Sequence, residues 1–204
     1  MNGADIRKLS TKTQAQHRAF FLPQNTDTSF NFSVKDIIQM PMTLSRLSPA
    51  QQKELTAYCL EITNSEAFSE RAYLPLSGGE KQRIQLSRVI AQLFSHPEPY
   101  PHFLLLDEPI SALDLRHQYT ILQRLKTLCQ QKKPFPVSVI LVLHDINLAA
   151  LFCDKILLLH QTQAIAYGTP EKVLTKAQIE EVFRIKAHLH VHPDTQTPFF
   201  IPKI

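Results

Sequence analysis

The sequence predicts an α/β fold: a parallel sheet with flanking helices, joined to a smaller and mostly helical lobe. Three observations carry that expectation. Phe103-Leu104-Leu105-Leu106 and residues 137–143 are apolar runs without polar alternation, the pattern of strands covered on both faces in a parallel sheet. Between them Ile121, Leu122, Leu125 and Leu128 recur at helical spacing, which makes the order strand, helix, strand. Both strands end in polar residues, Asp107-Glu108 and His144, and sheets of this kind bind ligands at the carboxyl ends of their strands.

The elements follow in order. Residues 19–23 read as a short strand ending at Gln24. Residues 33–40 form an amphipathic helix opened by Ser33, with Asp36 three positions on, and Ser48-Pro49 opens a second helix running to residue 62. The lobe, residues 25–96, closes with a helix over 80–94 whose Leu86, Val89, Ile90 and Leu93 share one face. Pro97, Pro99 and Pro101 punctuate the chain before the first buried strand. Beyond the second strand, Asp145 can cap a helix reaching Phe152, and residues 156–159 and 163–166 pair as a hairpin before Gly168. Thr169-Pro170 starts a short helix, Thr175-Lys176-Ala177-Gln178 is a capping box for another, and residues 188–192 and 199–201 form a last strand pair around Asp194. The domain plan is 1–24, 25–96 and 97–204.

Composition narrows the class. With 204 residues, 44% hydrophobic and 20% charged, the chain can bury a core. Its apolar runs are too short to span a bilayer, and residues 1–18 lack an apolar signal core, so the expected place is the cytosol unless a partner recruits the chain to a membrane. The net charge of +4 is spread instead of clustered and Trp is absent, which argues against nucleic acid. Cys59, Cys129 and Cys153 are odd in number and lie among apolar residues, as reduced thiols do, and there is no CxxC pair.

The chemistry concentrates in a few places. Ser77-Gly78-Gly79-Glu80 opens a helix whose first N–H groups have no partner within the helix; the two glycines let an anion approach the backbone and Ser77 adds a hydroxyl. Asp107 and Glu108, at a strand end, are solvated, hold a cation, or act on a substrate; a capping pair at a strand–helix turn is the plainer alternative. In a nucleotide-hydrolysing site Asp107 holds magnesium and Glu108 orients or deprotonates the attacking water. His144 either packs beside the capping Asp145 or hydrogen-bonds a γ-phosphate. Gln24 is an ordinary loop residue or a ligand for magnesium or water through its amide oxygen. Ser111-Ala112-Leu113-Asp114 places a carboxylate where it could reach a second subunit. His188, His190 and His192 share one face of a strand, but without a fourth ligand they read as exposed histidines and not as a metal site.

In this order and spacing Gln24, Leu76–Glu80, Phe103–Glu108, Ser111–Asp114 and His144 resemble the Q-loop, signature, Walker B strand, D-loop and H-switch of an ABC-transporter ATPase subunit. Leu22-Pro23-Gln24, Phe30-Asn31-Phe32-Ser33-Val34, Arg71-Ala72-Tyr73, Glu80, Leu115-Arg116-His117-Gln118 and His192-Pro193-Asp194-Thr195 are similar to the haem-importer group, whose relatives import siderophore-iron and cobalamin. The resemblance implies a partial RecA-like P-loop NTPase core with an ABC-type helical subdomain. It implies ATP and Mg2+, with Glu108 and His144 catalytic and Gln24, Ser77, Gly78, Gly79, Glu80 and Asp114 at the nucleotide. Asp107 and Gln24 are then the magnesium ligands. Implied partners are a homodimer mate or second ATPase subunit, a transmembrane permease and, indirectly, a periplasmic haem-binding protein, at the cytoplasmic face of the inner membrane. No stretch fits Gly-x-x-x-x-Gly-Lys-[Ser/Thr], since the glycines are Gly3, Gly78, Gly79 and Gly168, and the expectation is an amino-terminally incomplete cassette inactive alone. Lys81 and Ile110 are smaller departures. Two other readings stand beside it: a non-catalytic half-subunit completing another ATPase's site, and half of a DNA-repair or chromosome-maintenance ATPase head. Residues 43–72 lack the sustained heptads the latter would show.

Overall fold

The computed structural model describes residues 32–43, 45–95, 102–131 and 135–203, together with the backbone of Ala19–Leu22. Gln24, residues 1–18 and the proline-punctuated segment 96–101 lie outside the described residues. The chain divides into two compact units, Met1–Val142 and Leu143–Ile204.

In the first unit a helical lobe is built from three capped helices: α1 (Val34–Gln39), α2 (Pro49–Ile62) and α3 (Gly78–Phe94). Each begins with a serine whose hydroxyl accepts an N–H three residues on, while that residue's side chain accepts the serine N–H in return. The reciprocal bonds satisfy donors that a helix start leaves open, so the sequence signals translate directly into helix boundaries. Helix α3 starts at Gly78, two residues before the 80–94 span that its apolar periodicity predicts. The lobe's core is Val34, Ile37, Ile38, Cys59, Ile84 and Ile90, all at 0% exposure. Residues 32–34 and 71–73 zip together through Val34 N–H to Arg71 O and Tyr73 N–H to Phe32 O, both 2.9 Å, which fixes the approach to α3.

The three-stranded sheet runs β1 (Ala19–Leu22), β2 (His102–Asp107), β3 (Val137–Val142), parallel throughout, with helix α4 (Leu115–Gln130) between β2 and β3. Ile121, Leu122, Leu125 and Leu128 are the buried face of α4, as their spacing predicts. Aromatic rings link lobe and sheet: Tyr58 meets Phe94 edge-on at 5.7 Å, and Phe94 stacks on Phe135 at 5.3 Å.

One expectation is overturned here. The run 137–143 is not covered on both faces: β3 alternates, with Ile140 at 54% and Val142 at 49% exposure. The exposure belongs to a face and not to the edge: among the described residues nothing covers the side of β3 that carries Ile140 and Val142. The parallel register puts Leu105 beside Ile140 and Asp107 beside Val142, so β2's half-buried face continues this open surface while Leu104 and Leu106 face the interior.

The second unit packs α5 (Ile146–Phe152), the hairpin β4 (Ile156–His160) and β5 (Gln163–Gly168), α6 (Pro170–Val173), α7 (Lys176–Phe183) and the hairpin β6 (Ala187–Val191) and β7 (Pro198–Pro202). Its core gathers Ala150, Leu158, Val173, Leu174, Ile179 and Phe200. Both hairpins expected from the sequence form. The capping box at Thr175 is only half made. Its hydroxyl accepts Gln178 N–H but then donates to the Gln178 side-chain oxygen, so the Thr175 N–H is not the glutamine's partner.

Candidate functional site

At the start of α3, Ser77 Oγ accepts Glu80 N–H at 3.3 Å and Glu80 accepts Ser77 N–H at 2.7 Å. That bond, with the neighbouring Arg71 and Arg83 as weaker contributors, holds the Glu80 carboxyl below its ordinary range. The first intrahelical bond runs from Lys81 N–H to Ser77 O, which leaves the N–H groups of Gly78 and Gly79 without partners inside the helix, at its positive end. Gly78 is open, with nothing within 4 Å of where a Cβ would stand; Gly79 is tight, its Cβ position 2.8 Å from Ala112 O. The first glycine leaves its backbone open, and the second lets α3 touch the loop that follows β2.

That loop carries the carboxylates. Asp107 ends β2, half-buried, and Glu108 follows with φ 47°, a left-handed backbone that residues with a Cβ seldom adopt. Such residues gather at functional sites, where surrounding bonds keep them in place. Here the Glu108 carbonyl accepts from Gln82 Nε2 at 2.9 Å and from Ser111 Oγ at 3.1 Å. Sequence reasoning missed Gln82. The only signal for it was its place three residues after Gly79, on the same helical face. Asp114 is the N-cap of α4, accepting His117 N–H at 2.9 Å; that bond, then the His117 ring, holds its carboxyl below its ordinary range. The structure therefore joins Ser77, Gly79, Glu108 and the 111–114 loop into one assembly through α3.

Arg83 anchors the same helix to the lobe. It is 7% exposed, donates to the carbonyls of Thr63 and Asn64, and its guanidinium stands 5.1 Å from the Phe68 ring. Burial lowers its pKa, with Glu80 and Asp114 pulling the other way.

His144 opens the second unit, two residues past β3 in sequence, and is exposed. Asp145 is the N-cap of α5, accepting the N–H groups of Asn147 and Leu148 at 2.8 and 3.0 Å. Asn147 makes a two-way amide pair with Phe200, accepting its N–H at 2.8 Å and donating to its carbonyl at 3.1 Å. His188 and His190 have rings 6.2 Å apart on β6, and among the described residues no group of three His, Cys, Asp or Glu side chains can hold one ion. Cys59 is buried, and burial pushes the pKa of its thiol up. No helix of the described residues is long and apolar enough to cross a membrane.

The hemin import ATP-binding protein of Bordetella avium is 39% identical over 194 residues, covering 95% of this chain and 73% of that protein. The chain belongs to the ABC-transporter ATP-binding cassette family. A second such protein, from Rhizobium meliloti, is 37% identical over 205 residues, covering 100% of this chain and 76% of its own length. No family model matches the cassette. Among solved structures, a metal-chelate type ABC transporter in an inward-facing conformation superposes with TM-score 0.70 at 26% identity, over 91% of this chain and 73% of that one. A bacterial cassette solved as a dimer superposes at 0.66 and 23% identity, over 83% and 71%, and shows the shared fold. A partial P-loop NTPase core with its helical lobe is thus the architecture of this cassette.

Proposed function

We propose that this chain is the ATP-hydrolysing, energy-coupling subunit of a haem (hemin) importer. The observation that carries the reading is the 39% identity, across 95% of the chain, to a protein named for hemin import. The anion-ready start of α3 packed against the Asp107-Glu108 turn supplies chemistry suited to it. In this reading two ATPase subunits meet beneath a transmembrane permease at the cytoplasmic face, and the permease receives haem from a periplasmic haem-binding protein. The choice of ligand lies with the permease.

Ser77, Gly78 and Gly79 offer N–H and hydroxyl donors to phosphate oxygens at a helix N-terminus, with Glu80 holding Ser77 in place. Asp107 and the amide oxygen of Gln24 would hold Mg2+. The donors fit that ion: one half-buried carboxylate with no cluster of three ligating side chains among the described residues leaves room for water and phosphate oxygens, which Mg2+ keeps. Bound there, Mg2+ neutralises charge on the β- and γ-phosphates. In this reading Glu108 would orient the attacking water and take its proton, His144 would hydrogen-bond the γ-phosphate, and Asp114 would reach toward a second subunit. With glycines only at 3, 78, 79 and 168, no phosphate-cradling loop is among these 204 residues, so they alone are expected to bind ATP weakly.

The test is made in the host that carries the gene. Glu108→Gln should abolish growth on hemin as sole iron source while growth on ferrous iron continues; undiminished growth on hemin overturns the reading. A second reading, a siderophore-iron or cobalamin importer, is favoured by the likeness to the metal-chelate type transporter, and loss of growth on those ligands with hemin use intact would select it.

A further inference from the structure

We propose that Gln82 is a positioning residue that ties the start of α3 to Glu108 and holds the Glu108 backbone in its left-handed conformation. The side-chain amide of Gln82 bridges the loop after β2 in both directions. Its Nε2 donates to the Glu108 carbonyl at 2.9 Å and lies 3.4 Å from Ser111 Oγ, and its Oε1 accepts the Ala112 N–H at 3.1 Å. Gly79, one turn earlier, makes this reach possible, because a side chain there would strike Ala112 O and push the loop away from the helix.

The arrangement matters because Glu108, at φ 47°, is in a conformation that an ordinary residue leaves unless its neighbours hold it. Rotation back to negative φ would swing both the carbonyl and the carboxylate. Pro109 follows, so the turn has few ways to absorb such a change. Three donors reach the carbonyl, the Ser111 N–H and hydroxyl from within the loop and Gln82 Nε2 from outside it. Gln82 ties it to the helix whose first N–H groups would meet phosphate in the proposed function. Any shift of the α3 start on meeting an anion is therefore passed to the Glu108 peptide through one half-buried side chain. The inference rests on the reading of Glu108 as the group that activates water, given under Proposed function.

The two hydrogen-bonding directions can be separated by substitution. Gln82→Ala removes both; Gln82→Glu keeps the shape and the acceptor for Ala112 while losing the donor to Glu108. On the full chain, amide exchange at Ala112 should speed by about tenfold or more in Gln82→Ala and stay near the wild-type rate in Gln82→Glu. The Glu108 carbonyl 13C resonance should move upfield in both, with the melting temperature little changed. In the assembled transporter, kcat should fall at least about tenfold in both variants with KM for ATP within about twofold, as expected for an interaction realised in the transition state. Unchanged Ala112 exchange and Glu108 resonance in Gln82→Ala overturn the proposal. So does a kcat near wild type in both variants where Glu108→Gln abolishes turnover, and so does full recovery of every readout by Gln82→Glu, which would mark a packing role. Turnover that survives Glu108→Gln overturns the proposed function instead, and the exchange and resonance data then decide Gln82 alone.

Discussion

The helical lobe and the parallel sheet treat the same kind of residue in opposite ways. Ile90 on α3 is 0% exposed, whereas Ile140 on β3 is 54% exposed on the open face that it shares with Val142. The lobe covers much of its apolar surface because its three capped helices pack on one another, and α3 packs on β1 and β2 as well. A sheet face cannot do this; its side chains are buried only when another element or chain lies over them. The difference teaches that apolar content alone does not decide burial. Helix α3 belongs to the lobe, and the carboxylates lie at the end of the central strand of the incompletely covered sheet.

Ile-to-Ala substitution at these two positions gives the sharpest contrast. Ile90→Ala should cost about 2–5 kcal/mol in denaturant unfolding, because it removes buried methylenes and leaves a cavity. Ile140→Ala should stay within about 0.5 kcal/mol, as exposed substitutions do. Equal losses would mean that Ile140 is covered in solution and would break the comparison.

A smaller contrast separates the adjacent glycines. Gly79→Ala sets a Cβ against Ala112 O and should destabilise by about 1–3 kcal/mol, the range for overpacking. Gly78→Ala meets nothing and should be neutral or stabilising by up to about 1 kcal/mol, since alanine favours the helix. Thermal melts of the two single variants decide it. A costly Gly78→Ala would show that the start of α3 is already in contact with something.

The smallest effect lies in the capping box. The folded Glu80 carboxyl titrates below its unfolded value, so its contribution is present above about pH 4.5 and is lost as pH falls through the folded value. Exchange at the amide groups of Ser77 and Glu80 should therefore rise, relative to intrinsic rates, as the pH falls below the ordinary carboxyl value of 4.5. Gln at position 80 can still cap but does not titrate, so Glu80→Gln should flatten that dependence. An acid loss that persists in the variant would assign it to another group.

Much of the molecule was legible because its signals are local. Ser33 with Asp36 and Ser77 with Glu80 each satisfy donors within one helical turn, and the apolar face of α4 is set by a 3.6-residue repeat. Thr175 with Gln178 has the same spacing yet makes only half the box, since a rotatable hydroxyl can donate to the glutamine oxygen as readily as accept. The exposure of β3 was not legible, because a run of apolar residues records a tendency to be covered and not the presence of a cover. Gln82 was invisible for a related reason: its three partners lie 26 to 30 residues away and meet it only when α3 packs on the turn after β2.

By itself the sequence determined where helices begin, which residues line their apolar faces, and which ordered set of polar residues could meet phosphate. Those properties depend on neighbours a few positions apart. Only the tertiary structure decided that Gly79 marks a close packing contact while Gly78 is open, that the Glu108 backbone is left-handed, and that Gln82 holds it. Each of these follows from two distant segments competing for the same few ångströms.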